Sequence, residues 1–108
     1  MDNVKIDPSA KIRQPFEYEG EVTIGKNTVI DKGVIIRGKI TIGDNVQINP
    51  YIKITGEGYI GDGSFIGHHI HNPRIGKNCI VKGEIADSVL GDGCEIGENA
   101  QVTRCRFG

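Results

Sequence analysis

The chain has no tryptophan, one methionine, three tyrosines and three phenylalanines. With so few rings, aromatic clusters cannot organise a core, and aliphatic side chains must supply the buried surface. The three cysteines are odd in number and show no CxxC spacing, which excludes a disulfide framework or a zinc knuckle. No stretch approaches the roughly 20 apolar residues of a membrane span. The opening MDNVKIDPSA has neither the basic nor the apolar segment of a secretory signal. Lysine plus arginine (13) nearly balance aspartate plus glutamate (14), so no basic excess argues for nucleic acid or an anionic membrane as partner. These absences lead to the expectation of a cytoplasmic protein without nucleic-acid or membrane partners. Its 108 residues suit one domain, 1–108.

What is present in excess is glycine, 16 residues against a usual fraction of about 7%, together with aliphatic residues at a fixed interval. Ile6, Ile12, Tyr18, Ile24, Ile30, Ile36, Ile42, Ile48, Ile54, Ile60 and Ile66 follow one another at six-residue steps. A nine-residue step leads to Ile75 and six more residues to Val81. A second nine-residue step leads to Leu90, then Ile96 and Val102. A helix repeats near 3.6 residues and a half-buried strand at 2, so a period of six belongs to a larger unit.

Other positions of the unit are also restricted. Glycine recurs at the second (Gly25, Gly43, Gly61, Gly67, Gly76), and asparagine or glycine at the fourth (Asn27, Gly33, Asn45, Gly63, Asn78, Gly93, Asn99). The fourth-position residues are those that tolerate a left-handed backbone at a bend. The fifth is small or branched, as at Val22, Thr28, Val46, Ser64, Cys79 and Cys94. The fifth residue and the next leader lie two apart and face the same way in a strand. Thr28 and Ile30 therefore point inward, Val29 outward, and Asp31-Lys32-Gly33 turns a corner. A strand this short cannot bury its face alone, so successive units must stack into a solenoid with a continuous aliphatic core. The two nine-residue steps are either corner insertions or shortened walls, and the sequence leaves both open.

From IDPSAK to IGENAQ the chain resembles the hexapeptide-repeat transferase family, whose units read aliphatic-Gly-x-x-small-x. The resemblance implies an all-β fold, a left-handed parallel β-helix with three walls, about 18 residues per coil and five to six coils. The handedness is implied by the resemblance alone. VIIRGKITIGDNVQI and IADSVLGDGCEIGENAQV are most similar to the C-terminal β-helix of sugar-phosphate nucleotidyltransferases, some of which acetylate an amino sugar while others only assemble subunits. The glycine-rich nucleotidyltransferase signature itself is not in this sequence. Two functions follow as expectations. One is an acyl-CoA-dependent acetyltransferase acting on a sugar or other small amine or hydroxyl acceptor, with acetyl-CoA as donor. The other is a non-catalytic trimeric assembly or binding module. Either implies a homotrimer with clefts between neighbouring helices.

The candidate chemistry is concentrated in IGHHIHN, which holds all three histidines. Ile66 and Ile70 take inward places, so His68, His69 and His71 project outward. His69 falls on the fourth position, where a bend suits it. His71 lies outward on a strand with no structural excuse. His71 and His68 are the candidate catalytic residues, since an imidazole titrating near working pH can take a proton from an attacking amine or hydroxyl. A metal cluster is the competing reading. The related γ-class carbonic anhydrases bind zinc through three histidines from separated parts of the helix, whereas these are contiguous, so no metal is predicted.

Stacking at about 18 residues places Glu17, Ile35, Lys53 and His71 in one outward column and Lys11, Val29, Gln47 and Phe65 in another. Val29, Ile35, Phe65 and Tyr59 then form an outward apolar surface suited to a trimer contact. GEGYIG at Gly56–Gly61 matches GxGxxG, but its glycines are corner positions with no helix following, so a dinucleotide site is rejected. Cys79 and Cys94 read as small core residues.

Overall fold

The computed structural model describes residues 3–107. Every strand pairs in parallel with its neighbours, one coil to the next. Among the described residues a six-stranded sheet forms one wall, and a ten-stranded sheet folds over the other two. Wall 1 is led by Ile6, Ile24, Ile42, Ile60, Ile75 and Leu90. Wall 2 is led by Ile12, Ile30, Ile48, Ile66, Val81 and Ile96. Wall 3 is led by Tyr18, Ile36, Ile54, Ile70, Ile85 and Val102. Wall 1 carries a seventh strand, Arg106–Phe107, paired beyond Leu90, so the described residues wind six full coils with overall extents of 33 × 23 × 20 Å.

Beyond the first coil, where Ile6 is exposed and Ile12 and Tyr18 are half-buried, the leaders fill the axis. Ile30, Ile48 and Ile66 are fully enclosed, as are Ile36 and Ile54. Burying an isoleucine stabilises by about 1.5–3 kcal/mol, so a column of them on each wall dominates the favourable side of folding. The fifth-position residues share this interior and also stitch coils together. Thr28 Oγ1 donates to the Gly43 carbonyl at 2.7 Å and accepts the Val46 N–H at 3.2 Å. Ser64 repeats the pattern with the Gly76 carbonyl and the Cys79 N–H, and the Cys79 thiol donates to the Gly91 carbonyl at 3.1 Å. Among the described residues no buried side-chain nitrogen or oxygen lacks a partner.

The corners explain the rest of the repeat. Asn27, Asn45, Asn78 and Asn99 have φ of 56°, 57°, 58° and 65°, the left-handed bend that asparagine tolerates best after glycine. The second-position glycine has a different cause. The Asp44 carboxylate of the next coil occupies the space a Cβ on Gly25 would need, and it accepts the Lys26 N–H at 2.7 Å. Asp62 stands over Gly43 in the same way and accepts the Asp44 N–H.

The nine-residue steps are shortened walls. Ile60 pairs with Ile42 and then with Ile75, so the coil contracts from 18 residues to 15. Ile70 and Ile85 are wall leaders that the six-residue count passes over. The corner from wall 2 to wall 3 takes four residues at Ile66–Ile70 and Val81–Ile85 in place of six, and the following corner takes five. Between walls 3 and 1 the full-length coils run as single strands, Phe16–Ile24, Val34–Ile42 and Lys53–Ile60, bent at Gly20, Gly38 and Gly56 with φ of 97°, 122° and 91°. In the later coils that bend passes to Asn72, Asp87 and Arg104, with φ of 50°, 53° and 54°. Asn72 Oδ1 accepts the Glu57 N–H at 2.9 Å, and its amide donates to Asp87 Oδ1.

Candidate functional site

Coil contraction decides where the histidines stand. Ile70 pairs with Ile54, and His71 lies opposite Thr55 rather than Lys53. The column expected from a constant repeat holds for Glu17, Ile35 and Lys53 and then slips by two residues, because the corner at Ile66–Ile70 is two residues short. His71 thus belongs to the column Glu19, Arg37, Thr55, His71, Ala86, Thr103. Thr55 Oγ1 and His71 Nδ1 are 2.6 Å apart, a hydrogen bond whose direction depends on the ring tautomer.

His69 lies in the corner Ile66–Ile70 but does not take the left-handed bend expected of it. The left-handed bend of that coil falls at Asn72, and His69 instead uses Nδ1 to accept the Lys53 backbone N–H at 2.9 Å. His69 and His71 lie on either side of the buried Ile70 and both face out. They line a shallow groove of about 110 Å³ on wall 3 with Lys53, Thr55, Glu84 and Ala86. Ala86 follows His71 in the column, so the next coil leaves the imidazole unobstructed.

His68 stands elsewhere. It is half-buried, its Nδ1 accepts the His69 N–H at 2.8 Å, and it lines a different cavity at the corner between walls 2 and 3. In the neutral ring this leaves Nε2–H, a donor. His68 and His71 are thus close in sequence but serve separate concavities. Among the described residues no three His, Cys, Asp or Glu side chains converge as a metal ion would require.

The groove contains residues that reading from the sequence passed over, namely Thr55, Glu84 and Ala86. Reading each nine-residue step as two walls that together lack three residues gives coils of 15 and aligns Ala86 with His71, while aligning Thr55 also requires that two of the three be lost before Ile70. GEGYIG lies within the strand Lys53–Ile60 and its corner. Cys79 is buried, and burial pushes its thiol above the ordinary range. Cys94 is partly buried against the same core.

The outward apolar residues do not form one surface. Ile35 is on wall 3 and Tyr59 on wall 1. Wall 2 carries the continuous column Lys11, Val29, Gln47, Phe65, Ile80, Glu95, in which Val29 and Phe65 are half-buried and Ile80 is 39% exposed.

A family model described as bacterial transferase hexapeptide (six repeats) matches residues 21–56. The match covers a third of the chain, within the first full-length coils. No curated protein matches. Among solved structures, PerB from Caulobacter crescentus in complex with CoA and GDP-perosamine is 15% identical, with a TM-score of 0.44 over 98% of this chain and 51% of that one. The acetyltransferase domain of PglB from Neisseria gonorrhoeae in complex with acetyl coenzyme A is 20% identical, with a TM-score of 0.40 over 94% and 51%. The UDP-N-acetylglucosamine O-acyltransferase LpxA from Moraxella catarrhalis is 20% identical, with a TM-score of 0.45 over 97% and 60%. The chain thus spans about half the length of the first two structures.

Proposed function

We propose that this chain is an acetyltransferase of the hexapeptide-repeat type, using acetyl-CoA to acetylate a sugar or another small amine or hydroxyl acceptor in the cytoplasm, with His71 as general base. The observation that carries this reading is the anchored, outward-facing imidazole. With Nδ1–H donated to Thr55 Oγ1, the Nε2 lone pair faces the groove and is free to take a proton. The acceptor amine or hydroxyl would attack the thioester carbonyl, forming a C–N or C–O bond and breaking C–S. His71 Nε2 receives the acceptor's proton and returns it to the departing thiolate. His68, whose Nδ1 is already occupied, fits donation from Nε2 better than proton removal.

A homotrimer belongs to the same proposal. The Val29–Phe65–Ile80 column on wall 2 is the apolar surface that supports it. Acetylation by His71 predicts that His71→Ala loses turnover by at least about a hundredfold while its circular dichroism and melting stay unchanged. Equal turnover in the variant would remove the assignment.

One observation favours the second reading, a non-catalytic trimeric assembly or binding module. The groove beside His71, about 110 Å³, is smaller than the roughly 300–1,000 Å³ of typical small-molecule sites. An enzyme would need a neighbouring copy to complete it. Titration with acetyl-CoA in a calorimeter separates the readings, with saturable heat at micromolar concentrations belonging to the enzyme and none to the assembly module.

A further inference from the structure

Two consecutive corners between walls 2 and 3 are cut short, Ile66–Ile70 and Val81–Ile85, while those before and after keep full length at Ile48–Ile54 and Ile96–Val102. A prism drawn in at one edge for two coils, and full on either side, must carry a notch there. It holds about 450 Å³ and is lined by Asn49 from the coil before, Phe65, His68 and Lys82 from the short coils, and Glu98 and Asn99 from the coil after. This volume lies within the range of small-molecule sites. Gly67 forms part of the lining, and the Phe65 ring and Asn49 Nδ2 stand 3.0 and 3.6 Å from where its Cβ would be. A side chain there would enter the notch.

The polar groups are mainly donors. His68 has Nδ1 committed to the His69 N–H, so its free ring atom is Nε2–H. The Lys82 ammonium makes no ion pair among the described residues, although Glu98 lines the same cavity. Asn49 and Asn99 bring amide donors from opposite ends. Three kinds of donor face a single carboxylate, which favours an oxyanion over a cation. The Phe65 ring supplies one apolar flank.

We propose that this notch is a binding site for a small molecule bearing a compact oxyanion, a carboxylate or a phosphate, held by Lys82, His68 and the two asparagine amides, with a hydroxyl or amine of the same molecule donated to Glu98. The site is formed by the corner between walls 2 and 3 and does not use the His71 groove, so it stands whether or not the chain transfers acetyl groups.

Amide chemical-shift titrations of the whole chain with inorganic phosphate and, separately, with succinate test it at low ionic strength, where an exposed lysine is least screened. At least one probe saturates, with shifts centred on Gly67, His68, Lys82 and Asn99. Preference for phosphate identifies a phosphate-bearing ligand, and preference for succinate a carboxylate. Lys82→Gln and His68→Ala each weaken binding about tenfold or more, whereas Lys11→Gln, a lysine on the first coil of wall 2, leaves it unchanged. Lys82 is exposed, so its variant keeps the dispersed spectrum of the parent and reports binding alone. The proposal is overturned if neither probe saturates, if Lys82→Gln binds as the parent does, or if Lys11→Gln weakens binding equally.

Discussion

Cys79 shows how one side chain carries both packing and a pH dependence. It occupies a fifth position, stacked on Ser64, and its thiol donates to the Gly91 carbonyl in the interior. Burial disfavours the thiolate, so the folded chain keeps a proton that the unfolded chain gives up near the ordinary thiol value of 9.0. The contribution to stability is fully present below that pH and is lost as pH rises above it. Urea titrations between pH 7 and 10 are expected to show a steeper loss of stability in the parent than in Cys79→Ala. Parallel curves would mean that the thiol ionises as readily folded as unfolded. At the same scale, the imidazoles of His68, His69 and His71 are distinguished by what their Nδ1 atoms touch: a backbone N–H for the first two and a hydroxyl for the third. The sequence shows three similar side chains in four positions. The hydrogen bonds leave neutral His68 and His69 with Nε2–H donors, whereas His71, bonded to a hydroxyl, can hold either tautomer.

At the level of the element, the corner matters more than the strand. The bend between walls 3 and 1 stacks Gly20, Gly38 and Gly56, each with the next coil's backbone or side chain occupying its Cβ position. Gly38 combines φ of 122° with the Gly56 carbonyl against it, so relief by a rotamer change is not open to any substitution there. Gly38→Ala is expected to cost roughly 2–4 kcal/mol through strain and lost pairing, measured by chemical denaturation. A loss under about 0.5 kcal/mol would show that the corner relaxes freely. The short coils meet the same bend with Asn72 and Asp87, whose side chains supply hydrogen bonds that glycine cannot. Fourth-position bends were legible in the sequence, since asparagine and glycine there match the positive φ values. The second family of corners was not, because Gly20, Gly38 and Gly56 share the third position of the units on wall 3 only, and the later coils hand that bend to Asn72, Asp87 and Arg104.

For the whole molecule, three walls around an aliphatic axis leave three outer faces, and among the described residues only wall 2 presents an apolar column. Ile80 follows Phe65 in it and is 39% exposed. If copies associate through this wall, Ile80→Glu places a charge in the contact and shifts the protein to monomers. Sedimentation equilibrium on parent and variant reads this directly. A parent that is itself monomeric, or a variant that stays trimeric, removes wall 2 as the interface. The shortened coils act at this scale as well, since they create the notch and bring Thr55 beside His71.

The interior was readable from residue order, because a six-residue aliphatic repeat allows only one side of each strand to avoid water. Fold class, the outward histidines and the buried Ile30, Ile48 and Ile66 follow from that constraint. Side-chain neighbours across coils depend instead on how many residues each turn consumes. A nine-residue step has the same length whether it is one wall with an insertion or two walls with a deletion. Backbone pairing between Ile54 and Ile70 selected the second, because leaving strand amides unpaired costs more than tightening a corner.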